Sequence, residues 1–517
     1  MSKNPNLVYD VQDRPPLLKI IIFGFQQLLA IMAATIAVPS IIGMPIQIPA
    51  ALLGAGIGTI VYLLFTKGKS PVFLGSSFAF LGSLTLAVTY GYCGIILGSV
   101  FAGLVYVIIA LIIKFVGTNW ITKLMPPVVI GPTVAIIGLS LAGSAMGDMV
   151  KATADGINGG YNLIGLLCGL VTFFTVIIFS TQKRFKMMKL IPFILGIAAG
   201  YIVAAIFSAI GYAADVAYLK IIDWSPLVDN FKNVTVESFL TYPRFALIGG
   251  IQEIANQSVD ATIINAVNTL IAKGSLPEGT VANILNGVSV AEIAIAFLPV
   301  AFVVFAEHIA DHKNLGSVIG KDLVNNEPGL TRTLLGDGVG SIAGTVFGVC
   351  PNTTYGESVG CVAITKNASI VSIWMAAGMC IVLSFISPVM KLLMTIPNCV
   401  MGGVCLTLYG FIAVSGLKMI KDVDLNDNHN LFVVSAILIA GIGGLAIKIP
   451  YAVKDNGAVA KVITITSIAT ALILGIVTNL ILTKVEKSKL GREPEGEEIA
   501  DSVPAVEPVV EEKKEEE

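Results

Sequence analysis

The chain has 517 residues, of which 55% are hydrophobic and only 13% are charged, and its formal net charge is −2. Soluble domains carry about 25% charged residues, so this composition excludes an ordinary soluble protein and predicts a polytopic membrane protein. The small net charge gives no sign of a nucleic-acid partner, and we expect none. Seven cysteines lie mostly in apolar runs without a C-x-x-C pair, which favours small core side chains.

Apolar runs long enough to cross a bilayer recur along the sequence. A helix needs about 20 apolar residues for this. We predict an all-α fold with fourteen such spans, which follow a polar segment at 1–16. The predicted spans are 17–40, 49–66, 71–90, 93–115, 126–147, 161–181, 190–212, 289–310, 329–349, 352–366, 369–388, 394–417, 430–448 and 459–483.

Basic residues indicate the orientation, because loops rich in Lys and Arg stay on the cytoplasmic side. They flank the first span and then follow alternate spans, at Arg14, Lys19, Lys67, Lys69, Lys114, Lys123, Lys183, Arg184, Lys186, Lys189, Lys313, Lys321, Lys418 and Lys421. We therefore expect a multi-pass protein of the plasma membrane with both termini in the cytoplasm. Lys448, Lys454 and Lys461 fall on the opposite side, so the last hairpin departs from this rule.

Two segments lie outside the predicted spans. An insert at 213–288 should be extracellular, and it contains an apolar stripe with a four-residue period that predicts one helix on the protein or membrane surface. The stripe consists of Ile251, Ala255, Val259, Ile263, Val267 and Ile271. The acidic tail at 484–517 has no periodicity, which predicts a disordered cytoplasmic segment.

The two halves of the chain resemble each other. The segments 125–131 and 396–402 share the pattern Pro-x-x-Val-x-Gly, in the fifth and twelfth spans. The third and tenth spans are both interrupted by polar residues and glycine, at 74–80 and 351–357. Since seven spans per half is an odd number, the second half must enter the membrane from the opposite side. This pattern predicts a 7+7 inverted repeat, the plan of many secondary transporters, with a binding site at the interruptions.

Two acidic residues mark the predicted site. Glu307 follows a long apolar run, and Glu357 lies in the interrupted tenth span. Charged groups at membrane depth are costly and are therefore candidates for function. Asp311 lies one helical turn after Glu307, so the two side chains share a face. Two carboxylates this close do not both ionise cheaply, which makes the pair a candidate proton carrier.

Simpler interpretations apply to some of these residues. Asp311 could be a solvated side chain at the cytoplasmic edge. His308 and His312 are four residues apart, but no H-E-x-x-H motif accompanies them, so we predict no metal and no cofactor. His308 points about 100° away from Glu307 around the helix, which favours a hydrogen-bonded packing residue over a proton relay.

The interrupted segments suit a planar polar ring. The segment 352–357 offers hydroxyls, main-chain groups, Tyr355 and Glu357, and Gly356 lets a ligand approach the main chain. Phe78 on the matching segment could offer a ring face. These residues could also be helix-break residues that satisfy one another. Neither segment contains Lys or Arg, which argues against an anionic substrate, and no constellation for an enzyme is visible.

At these residues the chain resembles the nucleobase–ascorbate transporter family, in its bacterial uracil permease branch. The resemblance rests on Leu74 to Phe80, Ala306-Glu307-His308, Pro351 to Glu357 and the signature Glu357 to Lys366. It implies a core domain at 17–116 and 289–388 that carries the ligand, and a gate domain at 126–212 and 394–483 that moves against it. It also implies proton-coupled symport of a nucleobase by a protein that is often a homodimer.

The resemblance implies a set of site residues. The substrate-binding residues would be Glu307, Glu357, Phe78, Tyr355, Gly356 and Ala34. The candidates for proton coupling, predicted from their spacing and not from the resemblance, are Glu307, Asp311 and His308. The expected function is import of uracil with a proton. Alternatives are a xanthine or other purine permease, and an anion transporter on the same architecture.

The sequence departs from the family pattern at three places. Gln26-Gln27 replaces a Gln-His pair, Ser358 replaces an asparagine after the second glutamate, and Asp311 replaces a proton-linked histidine. The last change leaves the proton path open between Asp311 and Glu307. It also weakens the case for uracil against a purine.

Overall fold

The computed structural model describes residues 7–150, 161–182, 188–283, 287–421, 423–453 and 459–490. This part of the chain is mainly helical, as predicted. Nine of its helices are long and apolar enough to cross a membrane. The basic residues Lys183, Arg184, Lys186 and Lys454, which entered the orientation argument, lie outside the described residues.

The described residues of the first half contain eight α-helices and one short strand. The helices are α1 (Leu17–Ile41), α2 (Ile48–Phe65), α3 (Leu81–Val88), α4 (Gly91–Val116), α5 (Asn119–Leu124), α6 (Pro127–Val150), α7 (Leu163–Thr181) and α8 (Pro192–Ala213). The strand β1 spans Leu74–Ser76. Both α6 and α8 begin at a proline, whose fixed φ suits the first helical turn and whose missing N–H is not needed there.

Three helices of the insert lead to the second half. They are α9 (Ser225–Lys232), α10 (Ala246–Asn256) and α11 (Ala261–Ala272). The second half then contains α12 (Gly287–Ile319), α13 (Gly329–Phe347), β2 (Asn352–Thr354), α14 (Gly356–Thr365), α15 (Ile370–Ser384), α16 (Ser387–Met394), α17 (Asn398–Met419), α18 (Asn428–Ile442), β3 (Ile447–Val453), β4 (Val459–Ile465) and α19 (Ser467–Leu490).

The long helices pack in two groups. In the first group α13 packs against α2 and α4, α15 packs against α1 and α2, and α12 packs against α4. The backbones of α2 and α13 touch, because a Cβ on Gly54 would lie 2.1 Å from the carbonyl oxygen of Gly344. In the second group α17 packs against α6 and α7, α7 against α8, and α18 against α6 and α19. The two groups meet where α12 contacts α6, α17 and α19.

The third and tenth predicted spans are interrupted, as the sequence indicated. Each contains a three-residue strand followed by a short helix, and β1 pairs with β2 in antiparallel register with Gly75 opposite Thr353. Both strands are fully buried. The pairing satisfies main-chain groups at a depth where water cannot do so, which is the condition for non-helical backbone inside a membrane protein.

The last two predicted spans were wrong at their edges. The helix α18 ends at Ile442, and residues from Ile447 onward form the antiparallel hairpin β3–β4 before α19 begins at Ser467. The predicted spans 430–448 and 459–483 therefore included strand residues. The pattern Ile447-Lys448-Ile449 alternates apolar and polar residues with period two, which is typical of a strand. Counting apolar residues alone does not detect that period.

Three other boundaries also differ from the predictions. The eighth span was predicted at 289–310, but α12 continues to Ile319. The predicted insert helix is two helices, because Gln257 adopts a left-handed conformation and Asp260 caps α11 by accepting from the N–H of Thr262. The helix α19 extends to Leu490 into the segment predicted to be disordered, and 491–517 lie outside the described residues.

Candidate functional site

The paired strands form the floor of the candidate site. The N–H of Tyr355 donates to the carbonyl of Phe73 at 3.1 Å, and the N–H of Ser77 donates to that of Pro351 at 3.0 Å. On the α2 side, the hydroxyl of Thr59 accepts from the N–H of Leu74 at 3.0 Å. These bonds hold the start of both short helices, α3 and α14, next to each other.

Four carboxyl groups gather beside the strand pair. Glu307 and Asp311 come from α12, Asp337 from α13 and Glu357 from the first turn of α14. Glu307 lies within electrostatic reach of the other three. The hydroxyl of Thr354 on β2 donates to Asp311 Oδ2 at 2.8 Å. The structure therefore brings the predicted acids Glu307, Asp311 and Glu357 into one cluster.

Asp311 and His308 are both buried, which bears on the simpler interpretations. Asp311 is 5% exposed, so it is not a solvated side chain at the edge of the protein. His308 is fully buried and faces α13, where its Nδ1 lies 2.6 Å from Asp337 Oδ2 and its Nε2 lies 3.0 Å from the hydroxyl of Thr333. These contacts are typical of a hydrogen-bonded packing residue, and they also position the buried carboxyl group of Asp337.

The histidine rings of α12 stack on each other. The ring centroids of His308 and His312 are 4.1 Å apart. The Nε2 of His312 lies 2.7 Å from the hydroxyl of Tyr62, and its Nδ1 lies 2.8 Å from the carbonyl of His308. Among the described residues there is no group of three His, Cys, Asp or Glu side chains that could hold a metal ion.

Asp337 was missed by the sequence reasoning. It is fully buried and lies in the glycine-rich part of α13, between Gly336 and Gly338. An available signal was an ionisable residue inside the predicted span 329–349, which is a candidate for function by the same rule that identified Glu307. Its partner could not be read from the sequence, because His308 is on a different helix.

The predicted aromatic residues take different places. The hydroxyl of Tyr355 donates to the carbonyl of Ser76 at 2.9 Å, and its ring covers Gly75, where a Cβ would lie 2.3 Å from a ring carbon. Tyr355 thus fastens the two interrupted segments together. Phe78 packs at the edge of Tyr409 of α17, with ring centroids 5.2 Å apart and planes at 88°. Phe78 therefore lies where the two helix groups meet.

Gly356 and Ala34 complete the predicted set. Gly356 is exposed, and the nearest atom to a Cβ built there would be Asp311 Oδ1 at 3.5 Å. The main chain at Gly356 is therefore open to a ligand on the side of the acids. Ala34 is fully buried in α1, the helix that contacts β1, α14 and α17.

Several buried polar atoms around the strand pair lack a hydrogen-bond partner within the described part of the chain. They are Glu307 Oε2, Gln27 Oε1 and Ser77 Oγ. Buried polar atoms are nearly always paired, so a group of orphaned ones needs an explanation. A polar ligand bound between β1, β2 and α12 would supply the missing partners.

Two of the departures from the family pattern contact each other. The amide nitrogen of Gln27 donates to the carbonyl of Ser358 at 3.4 Å. The hydroxyl of Ser358 accepts from the N–H of Phe73 at 3.0 Å. Ser358 therefore connects α14 to both α1 and the segment before β1. In this chain the position supports the site from behind.

A cavity of about 480 Å³ lies next to the site at the C-terminal end of α12. Its walls include Ile309, His312 and Lys313 of α12, Ile121 of α5 and Ile130 of α6. Neither Glu307 nor Glu357 lines this cavity. It lies between the two helix groups, and on α12 it begins at Ile309 and His312, on either side of Asp311 in the sequence.

The sequence of this chain matches the Permease family over residues 18–449. The chain belongs to the Permease family. It is 37% identical to the uracil permease of Bacillus caldolyticus over 92% of this chain and 94% of that protein. It is 34% identical to the uracil permease of Bacillus subtilis (strain 168), over 93% and 96% respectively. The apolar helices and the family together make the protein a multi-pass membrane protein.

A solved structure supports the fold of this permease. The murine Solute Carrier 26 family member A9 anion transporter in the inward-facing state matches with a TM-score of 0.53 and 10% identity. The match covers 92% of this chain and 69% of the transporter. At this identity the likeness is one of fold alone.

Proposed function

We propose that this permease is a proton-coupled symporter that imports a nucleobase, most simply uracil. The observation that carries the proposal is the group of orphaned polar atoms and carboxyl groups at the buried strand pair. The uracil permeases to which the chain is 34–37% identical support the substrate class. A permease moves its substrate and does not transform it, so we propose no enzymatic activity.

The chemistry of the site suits a pyrimidine ring. Uracil offers two N–H donors and two carbonyl acceptors at the edge of a flat ring. Glu357 and Glu307 can accept from ring N–H groups, and either can donate to a carbonyl when it carries a proton. The open main chain at Gly356 adds an N–H donor, and Phe78 offers an aromatic wall. Tyr355 and Ala34 shape the pocket from behind.

The proton is proposed to travel with the acids of α12. Glu307 and Asp311 are within electrostatic reach of each other and of Glu357. Ionising several carboxyl groups in one cluster is costly, so a proton that neutralises one of them lowers the electrostatic repulsion among them. Binding of a base to Glu307 would then be linked to the protonation of Asp311. His308, engaged by Asp337, holds α12 in register beside the site.

The architecture proposed for this function is a fourteen-span 7+7 inverted repeat. Its core domain comprises 17–116 and 289–388, and its gate domain comprises 126–212 and 394–483. The packing of the long helices in two groups and the antiparallel pairing of β1 with β2 support it. We place the protein in the plasma membrane with both termini in the cytoplasm, as a homodimer in contact with lipid.

The nearest rival is a permease for xanthine or another purine. It is favoured by Asp311, which stands where the resembled family has a proton-linked histidine. An anion transporter on the same fold is disfavoured, because no Lys or Arg lies in the interrupted segments to hold a negative charge. Both rivals differ from uracil transport in which compounds compete for the site.

Uptake of radiolabelled uracil by cells that lack their own uracil transport tests the proposal. We expect uptake that is inhibited by excess uracil, weakly affected by xanthine and abolished by an uncoupler that collapses the proton gradient. Strong inhibition by xanthine with little uptake of uracil would indicate that the substrate is a purine and not uracil. Uptake that an uncoupler leaves unchanged would show that transport is not coupled to the proton gradient.

A further inference from the structure

The insert is attached to the first helix group by buried contacts. Glu253 of α10 is 4% exposed and accepts from the N–H of Tyr92, in the first turn of α4, at 2.9 Å. The hydroxyl of Tyr92 in turn accepts from the amide of Gln47 at 2.6 Å. The turn after α1 packs directly on α11, since a Cβ on Gly43 would lie 2.9 Å from the carbonyl of Ala266. The helices α10 and α11 should therefore move together with the first helix group.

An ion pair connects the end of α11 with α6 of the second helix group. Lys273 directly follows α11, and its Nζ lies 3.9 Å from Asp148 Oδ1 near the end of α6. The two side chains are only 16% and 15% exposed. Partial burial makes such a pair less sensitive to screening by salt than an exposed pair.

Apolar side chains close the space beneath this ion pair. Cys405 of α17 is 3% exposed and lies within electrostatic reach of both Asp148 and Lys273. One turn further along α17, Tyr409 packs against Phe78 at the start of the interrupted third span. The layers between the insert and the candidate site are thus the ion pair, Cys405, and the Tyr409–Phe78 contact.

The opposite end of the same interface is open. Ile130 lines the cavity of about 480 Å³ near the start of α6, whereas Asp148 is near the end of that helix. A helix rises 1.5 Å per residue, so the two residues are about 27 Å apart. Where α6 faces α12 and α17, the interface is therefore packed beneath the Lys273–Asp148 pair and contains a cavity at its other end.

We propose that the Lys273–Asp148 pair is a latch that holds the insert side of the permease closed and that must break before substrate can enter from that side. The proposal rests on the proposed function, in which the two helix groups move against each other. The latch joins elements of the two groups and lies over the layer that separates the site from the insert side. Its opening would expose Cys405 first.

Labelling of the native Cys405 thiol tests the latch. All variants carry Cys93→Ser, because Cys93 is half-buried and would react on the same side. A membrane-impermeant maleimide is applied to intact cells and to inverted vesicles. We expect Asp148→Asn and Lys273→Gln each to raise the labelling rate of Cys405 severalfold from one side only. The charge-swapped double variant, Asp148→Lys with Lys273→Asp, should return the rate toward that of the parent.

Three controls keep the result interpretable. Cys405→Ala should remove the signal. Lys220→Gln breaks the Lys220–Asp215 pair, which joins two residues within the insert, and should leave labelling unchanged. Size-exclusion profiles of the solubilised variants report folding, and the charge swap tests the same contact if one single variant folds poorly. Equal labelling rates in the parent, both single variants and the charge swap would overturn the latch.

Labelling is measured without substrate, so this result is independent of whether the permease carries uracil. Failure of uracil uptake with intact latch behaviour would refute the proposed substrate and leave the latch in place. Normal uracil uptake with unchanged labelling would refute the latch and leave the proposed function in place.

Discussion

The Nδ1 atom of His308 lies 2.6 Å from a carboxylate oxygen of Asp337, and both side chains are fully buried. The pair joins α12, which carries two acids of the candidate site, to the glycine-rich helix α13. Thr353 and Thr354 of β2 lie beside the same carboxylate. The His308–Asp337 pair fixes the rotation of α12, and hence the direction in which Glu307 and Asp311 point.

Two substitutions of Asp337 should show how much its hydrogen bond to His308 contributes to stability. Asp337→Ala leaves a buried imidazole without its partner, which costs about 1–3 kcal/mol. Asp337→Asn keeps an oxygen that can accept from His308 and should cost less. The measurement is the thermal unfolding of detergent-solubilised protein. Thr333→Val serves as a matched variant, because it removes the other hydrogen bond of the His308 side chain. Equal unfolding temperatures for the Ala and Asn variants would contradict this role.

Glu357→Gln should weaken binding of the base and leave the fold intact. A hydrogen bond to a charged acceptor contributes about 1.5–3 kcal/mol, so we expect a loss of roughly 10-fold to 100-fold in affinity. Binding of radiolabelled uracil to purified protein measures it. Glu327→Gln is the control, because Glu327 is an exposed acid that pairs with Lys69 in a loop. Unchanged affinity in Glu357→Gln would remove this residue from the site.

Asp311→Asn should change the pH dependence of uptake more than the affinity for the base. The amide oxygen can still accept from the hydroxyl of Thr354, so the local geometry is retained. The amide cannot bind and release a proton in the transport cycle. Uptake measured from about pH 5 to pH 8 should become flatter than in the parent, at similar substrate affinity. A pH profile identical to that of the parent would move the proton to another residue.

Glu253 should make the stability of the permease depend on pH. Burial raises the pKa of its carboxyl above the ordinary value of 4.5, against hydrogen bonds from the backbone of Asp260 and Tyr92 that lower it. The folded protein therefore keeps this proton to a higher pH than the unfolded chain does. The contribution to stability is fully present below pH 4.5 and is lost as pH rises through the raised pKa.

The variant Glu253→Gln should remove this part of the pH dependence. Thermal unfolding of the parent and the variant, compared at about pH 4 and about pH 8, measures it. We expect the unfolding temperature of the variant, relative to the parent, to improve as pH rises. A constant difference between the two proteins across this range would show that Glu253 does not titrate differently in the folded state.

Much of the candidate site could be predicted because its signals are local. An acid at membrane depth and a polar, glycine-containing break in an apolar run are visible in a few consecutive residues, as at Glu307 and at 351–357. The strand hairpin at 447–465 was misassigned because an apolar count ignores the period of the pattern. The insert was assigned a single helix because the left-handed turn at Gln257 interrupts the stripe without changing its spacing.

The amino-acid sequence by itself determined that this protein resides in a membrane, that two of its spans are broken and which acids lie deep within it. These properties follow from the transfer free energy of side chains along short segments. Only the tertiary structure decided that His308 faces Asp337, that Tyr355 bonds to Ser76 and that Lys273 meets Asp148. Those partners are far apart in the chain, and a hydrogen bond or ion pair depends on distance in space, which helix packing sets.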